Sequence, residues 1–286
     1  LMIGVFDSGL GGLTVLGALA RRFPDVAFVY LGDHARVPYG DRASEEIVDL
    51  TKAGTEALFR QGCRLVVLGC NTATAVAARR LQQEWLPTTP WKAEGRNVLG
   101  IVAPTVEAAT QTPWAVTSPQ YPQKFLTDRI AVFGTTRTVA SGVYAEEIRK
   151  RCPKVTVIQQ VSAELAGAIE DGASEADLDT LVKRAIDGVL AQTEGEPPHR
   201  AILGCTHFPL VEHLFRRHLP PATRILSQPE VVADSLEDYL SRHHHYTEGA
   251  AASQNLALFT TGEPDAIARR ARIFSGEPLA FSRIEI

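Results

Sequence analysis

A chain of 286 residues with 45% hydrophobic and 22% charged residues can build one large α/β domain or two smaller ones, and is neither a disordered nor a collagen-like polymer. Its 29 Lys and Arg against 33 Asp and Glu leave a formal charge of −4 with both signs scattered, so no footprint for nucleic acid or an anionic membrane is expected and a small molecule is the favoured partner. Cysteines at 63, 70, 152 and 205 are too few for a disulfide scaffold and lack zinc spacing, and no run reads as a membrane span or signal peptide, so reduced thiols in the cytoplasm are expected.

Met2 to Asp7 reads as a strand ended by the turn Ser8-Gly9-Leu10-Gly11-Gly12, after which Leu13, Leu16, Leu19 and Ala20 recur at helical spacing. Ala27 to Leu31 reads as a second strand, and Ser44 opens an amphipathic helix towards Gln61. Leu65 to Leu68 is a fully apolar strand running into Gly69-Cys70-Asn71-Thr72, with an Ala-rich helix beyond it to about Trp85. Val98 to Ala103 reads as a strand, and a domain crossing is placed near 98. Thr112 to Lys124, with three prolines and no periodicity, reads as a surface loop. Ile130 to Gly134 is a strand, followed by a helix capped near Thr138 and running to Arg149. Another strand at Val155 to Ile158 precedes two helices, and Ala201 to Leu203 ends in Gly204-Cys205-Thr206-His207, with Pro209 opening a helix to His218. A closing segment starts with Arg224 to Leu226 and takes helices over Val231 to Leu240 and Pro264 to Phe274 around an extended Leu256 to Phe259.

This alternation predicts two similar doubly wound α/β domains, with mainly parallel sheets facing each other across a cleft. The first comprises residues 1–98 plus 222–286 and the second 99–221, with the active site at their interface. Cys70 and Cys205 stand at equivalent places in the two halves, each just past the C-terminal end of a buried strand, the rim where open α/β sheets bind ligands. Cys63 and Cys152 are read as small core hydrophobes. For Cys70 and Cys205 the flanking Gly, Asn, Thr and His make core packing the poorer explanation, and a helix N-terminus is expected to lower each thiol pKa towards neutrality. Two thiols from opposite walls suit a reaction that removes a proton from one face of a carbon acid and delivers one to the other. His207 could exchange a proton with Cys205, and Asp7 with Cys70, although both also fit structural roles at helix starts.

The segments Ile3–Leu16, Asp33–Gly40, Gly69–Thr74, Gly134–Tyr144 and Leu203–Leu210 together resemble the glutamate racemases of the Asp/Glu racemase family, in that family's order and over most of the chain. The resemblance implies a cofactor-independent isomerase supplying D-glutamate for peptidoglycan in the cell wall. It implies that Cys70 takes the α-proton of D-glutamate and Cys205 that of L-glutamate, assisted by Asp7 and His207 respectively. It further implies a substrate site lined by Asp7, Ser8, Tyr39, Gly40, Asn71, Thr72, Thr135, Thr138 and Thr206. Asp33 and Glu170 fall where the family carries acidic residues near the site, and a homodimer is the family's habit. Trp91, Lys92, Trp114 and Tyr121 sit in what read as inserted loops between Trp85 and Ile130. Three adjacent histidines, His243 to His245, read as a solvated helix end because they cannot all face one ion.

Other readings remain. Racemisation of a related amino acid such as aspartate differs by one methylene, which motifs do not report. A dinucleotide-binding protein would use Gly9-Leu10-Gly11-Gly12 with Asp33, but Thr14 stands where the fingerprint needs its last glycine. A non-catalytic two-lobed binding protein would need no thiols.

Overall fold

Apolar runs whose residues are buried on both faces form the central strands of two parallel sheets. The computed structural model of the chain describes residues 1–248 and 255–286. In chain order it begins β1 (Met2–Asp7), α1 (Gly12–Arg22), β2 (Ala27–Gly32), α2 (Ser44–Arg60), β3 (Leu65–Leu68), α3 (Asn71–Arg80), α4 (Pro90–Ala93) and β4 (Asn97–Gly100). The chain then runs through α5 (Val102–Thr110), β5 (Arg129–Gly134), α6 (Thr136–Ser141), α7 (Val143–Arg151), β6 (Thr156–Val161), α8 (Ala163–Glu170), α9 (Glu175–Gln192), β7 (Arg200–Leu203), α10 (Glu212–His218) and β8 (Arg224–Leu226). It closes with α11 (Gln228–Arg242), β9 (Leu256–Thr260), α12 (Pro264–Ser275) and β10 (Ser282–Arg283). No described helix is long and apolar enough to cross a membrane.

The larger sheet has the order β10-β9-β2-β1-β3-β4 and the smaller β6-β5-β7-β8, and the described pairings are all parallel. Each sheet carries helices on both faces, which divides the hydrophobic interior into two clusters per lobe.

Several boundaries differ from the sequence reading. Residues 224–226 lie in the second sheet, β8 pairing with β7 from Arg200↔Arg224 to Ile202↔Leu226. The return to the first lobe therefore follows Leu226 rather than 222. The apolar run from Val98 stops as a strand at Gly100, and α5 starts at Val102 with Pro104 in the first turn, where a missing N–H costs nothing. Thr135, not Thr138, caps α6, its hydroxyl accepting the Thr138 N–H at 3.4 Å. Gly142, at φ +68°, breaks the expected single helix into α6 and α7. The Ala-rich helix is α-helical to Arg80 and then takes a π-helical turn over Leu81–Trp85.

Close backbone approach sets how the lobes meet. A Cβ added to Gly11 would sit 2.5 Å from Thr206 Oγ1 and 2.6 Å from His207 Nδ1. The Gly-rich turn after β1 thus presses directly on the segment after β7. The Thr14 hydroxyl, one turn on, donates to the Thr206 carbonyl at 2.9 Å.

Candidate active site

Cys70 lies two residues past the end of β3 and is the N-cap of α3, its Sγ accepting the Ala73 N–H at 3.4 Å and lying 3.3 Å from Ser8 Oγ. These contacts stabilise a thiolate, yet burial and the nearby Asp7 carboxylate outweigh them and push the thiol up to about 12. The expected lowering by the helix N-terminus does not hold at Cys70. Desolvation of a fully enclosed sulfur exceeds what a few weak N–H contacts return, so Cys70 rests as a thiol.

Asp7, the last residue of β1, is buried and accepts the Gly12 N–H at 2.6 Å on Oδ2, which also lies 3.0 Å from the Tyr30 hydroxyl. Burial raises its pKa, and the Gly12 N–H offsets only part of that. Tyr30, which reaches both Asp7 and the Gly9 carbonyl, was not singled out from the sequence because a tyrosine inside an apolar strand reads as core.

On the second lobe, Cys205 Sγ lies 3.5 Å from His207 Nδ1, and His207 Nε2 lies 2.7 Å from Glu170 Oε1. Glu170 Oε2 accepts from Arg270 on α12 at 2.9 Å, an ion pair that crosses from the second lobe to the first. Burial alone would lower the His207 pKa, but the Cys205 sulfur and the Glu170 carboxylate reverse this and hold it up to about 10. Glu170 is lowered despite its burial by the same histidine and by Arg270. Cys205 does not cap an α-helix as expected: a 3₁₀ turn over Phe208–Val211 intervenes before α10. The two thiols are therefore chemically unlike. One contacts a helix N-terminus and a serine, the other an imidazole.

The Ser8–Gly12 turn connects these halves, with Ser8 on Cys70 and Gly11 against His207. A sequence model of the Asp/Glu/hydantoin racemase family matches residues 14–236. The chain belongs to that family. Among its relatives in the racemase family, a glutamate racemase of Phenylobacterium zucineum is 49% identical over 98% of both chains, and one of Caulobacter sp. is 47% identical at the same coverage. A crystal structure of a glutamate racemase isoform from Bacillus anthracis superposes with a TM-score of 0.80 at 28% identity, covering 100% of this chain and 97% of that one. A glutamate racemase from Thermus thermophilus, solved with β-chloro-D-alanine, gives a TM-score of 0.78 at 27% identity over 99% and 96% of the two chains.

The remaining predicted site residues of this racemase-family chain fall at the same rim with differing freedom. Thr72 Oγ1 lies 3.0 Å from Thr135 Oγ1 and 3.4 Å from Thr138 Oγ1, so hydroxyls from both lobes converge. Gly40 approaches Thr135, where an added Cβ would be 3.5 Å away. Tyr39 donates to Asp33 Oδ2 at 2.6 Å, while Asp33 Oδ1 accepts from Thr261 at 2.7 Å and Arg36 at 2.8 Å, so Asp33 is an anchor for the Tyr39 loop. Thr206 is buried beside Gly11. The Asn71 side-chain amide points away from the rim into a buried cluster with Gln228 and Tyr144, leaving its backbone N–H as its means of contact with a ligand. Glu170, expected only at the site's edge, is bonded to His207. The histidine run is the solvated end of α11, as expected: His244 and His245 are exposed and His243, half-buried, stacks on Tyr239 at 4.0 Å.

Proposed function

We propose that the protein interconverts L- and D-glutamate by proton transfer at Cα between Cys70 and Cys205, and so supplies D-glutamate for peptidoglycan. The observation that supports this most directly is the unlike surroundings of the two thiols. Cys70 is held protonated near 12, whereas Cys205 lies beside a histidine that keeps its proton to about 10. A histidine-paired sulfur at Cys205 and a neutral thiol at Cys70 supply one base and one acid, one from each lobe.

For L-glutamate, the Cys205 thiolate takes the α-proton, the electron pair develops on Cα and its carboxylate, and the Cys70 thiol delivers its proton to the opposite face. The enzyme then holds the inverse protonation state and is charged for D-glutamate. The α-C–H bond is far less acidic than a thiol, so the carbanion-like transition state needs donors fixed in place. Backbone N–H groups at the Ser8–Gly12 turn and at the start of α3, with the hydroxyls of Thr72, Thr135 and Thr138, are the groups available to bind carboxylates there.

A chiral assay with L-glutamate, D-glutamate and both aspartates tests the substrate, and Cys70→Ser and Cys205→Ser test the chemistry. Each single variant should lose racemisation by at least about a thousandfold, because both protons must move. Wild-type turnover in either variant, or preference for aspartate, would sink the reading.

A further inference from the structure

Behind the thiols lies a buried polar cluster that racemisation chemistry does not itself require. Asn71 and Gln228 pair amide to amide: Asn71 Nδ2 donates to Gln228 Oε1 at 2.6 Å, and Gln228 Nε2 donates back to Asn71 Oδ1 at 3.0 Å. The Tyr144 hydroxyl donates to Asn71 Oδ1 at 2.5 Å, and Gln228 Nε2 also lies 2.8 Å from that hydroxyl and 3.0 Å from Thr105 Oγ1. All four side chains are buried. Asn71 and Gln228 start helices of the first lobe, whereas Thr105 and Tyr144 sit on α5 and α7 of the second.

The cluster occupies the two places where the chain crosses between lobes. Thr105 lies in the first turns of α5, just past β4, and Gln228 opens α11, just past β8. It also touches the surroundings of both thiols. Asn71 follows Cys70 directly, and the Tyr144 ring packs beneath Gly204, where an added Cβ would meet its Cε2 at 3.6 Å, one residue before Cys205. Only an amide presents a donor and an acceptor along one edge, so neither a carboxylate nor a hydroxyl at 228 could complete the reciprocal pair with Asn71.

We propose that Gln228 is a positioning residue whose amide, by bridging Asn71 and Tyr144 across the lobe crossings, fixes the separation of the Cys70 and Cys205 sulfurs. The inference rests on the two-thiol reading above. Inversion needs both sulfurs in reach of one carbon at once, and an error of about 1 Å in placement can cost about a hundredfold. Elimination from a glutamate analogue bearing chloride at Cβ needs only one. There a thiolate takes the α-proton, the C–H electron pair becomes the Cα=Cβ bond, and chloride leaves. A change in spacing therefore separates the two reactions.

The test compares Gln228→Met and Tyr144→Phe with the wild type in racemisation of glutamate and in chloride release from each enantiomer of the β-chloro analogue. Both rates are divided by the folded fraction from circular dichroism. Racemisation should fall about a hundredfold in Gln228→Met and about tenfold in Tyr144→Phe, with elimination within about threefold of wild type for both enantiomers. Racemisation and elimination falling in proportion, or an unchanged ratio in both variants, would overturn the proposal. Cys70→Ser and Cys205→Ser run alongside: if either still racemises, the two-thiol reading fails and this inference with it. If both lose racemisation while Gln228→Met keeps the wild-type ratio, the inference alone fails.

Discussion

His207 carries its proton to about 10 because Cys205 and Glu170 flank it in a buried setting where burial alone would favour the neutral ring. Removing the Glu170 charge takes away one of the two groups that keep it protonated. In Glu170→Gln the basic limb of the kcat/KM profile should move towards neutrality by about one pH unit, with little change in the acidic limb; a stationary basic limb would mean that His207 does not set it. Asp7 presents the opposite balance. Its folded pKa is raised above 3.8, so the proton it binds stabilises the fold below about pH 4, and that contribution is lost as pH rises through the folded value. At neutral pH an ionised Asp7 is thus a net cost to stability. Asp7→Asn should melt a few degrees higher than wild type at pH 7, lose that advantage towards pH 4, and racemise at least tenfold more slowly; an unchanged melting curve at both pH values would contradict this. Cys70, Cys205, Asp7 and His207 were legible because nucleophile-type residues at strand ends stand out against apolar runs. Gln228, Tyr144 and Arg270 were not, since an amide, a phenol and a guanidinium carry no local sign of which distant partner they will meet.

At the level of elements, the turn after β1 matters through what it lacks. Gly11→Ala would place a methyl group within 2.6 Å of Thr206 and His207, which forces the facing segments apart. Racemisation should fall about a hundredfold while circular dichroism stays native, and near-normal activity would show that the walls can separate without consequence. Gly142 is a contrasting glycine: its φ of +68° demands left-handed backbone, but no atom lies within 4 Å of an added Cβ. Gly142→Ala should cost about 1 kcal/mol of stability in a urea titration and leave the reaction intact. The buried parallel strands were readable because Leu65 to Leu68 and Ile130 to Gly134 are apolar on both faces. Helix α5 was not, because Ile101-Val102-Ala103 continues the apolar run of β4 and only the packing of Val102, Val106 and Ala109 under the second sheet decides for helix. The partner of β8 was equally hidden: three residues carry no information about which sheet they join.

Across the whole molecule, the second lobe is an uninterrupted insertion from α5 to β8, and its strands pair only with one another among the described residues. Its loop is held down by two arginines, Arg151 beneath Trp114 at 4.7 Å and Arg200 beneath Phe125 at 3.7 Å. A fragment of residues 101–227 should therefore unfold cooperatively in urea yet show no racemisation, since it lacks Cys70; a gradual, featureless transition would show that this lobe depends on the other. The enclosing lobe is the dependent one. Its β2 pairs with β1 from the start but receives its second neighbour only when Leu256 comes to lie beside Phe28, so a ribosome delivers the entire insertion, Cys205 included, before that flank can be covered. During synthesis the open edge of β2 is consequently the stretch most exposed to mispairing with a neighbouring nascent chain, and the one a chaperone would have most reason to shield.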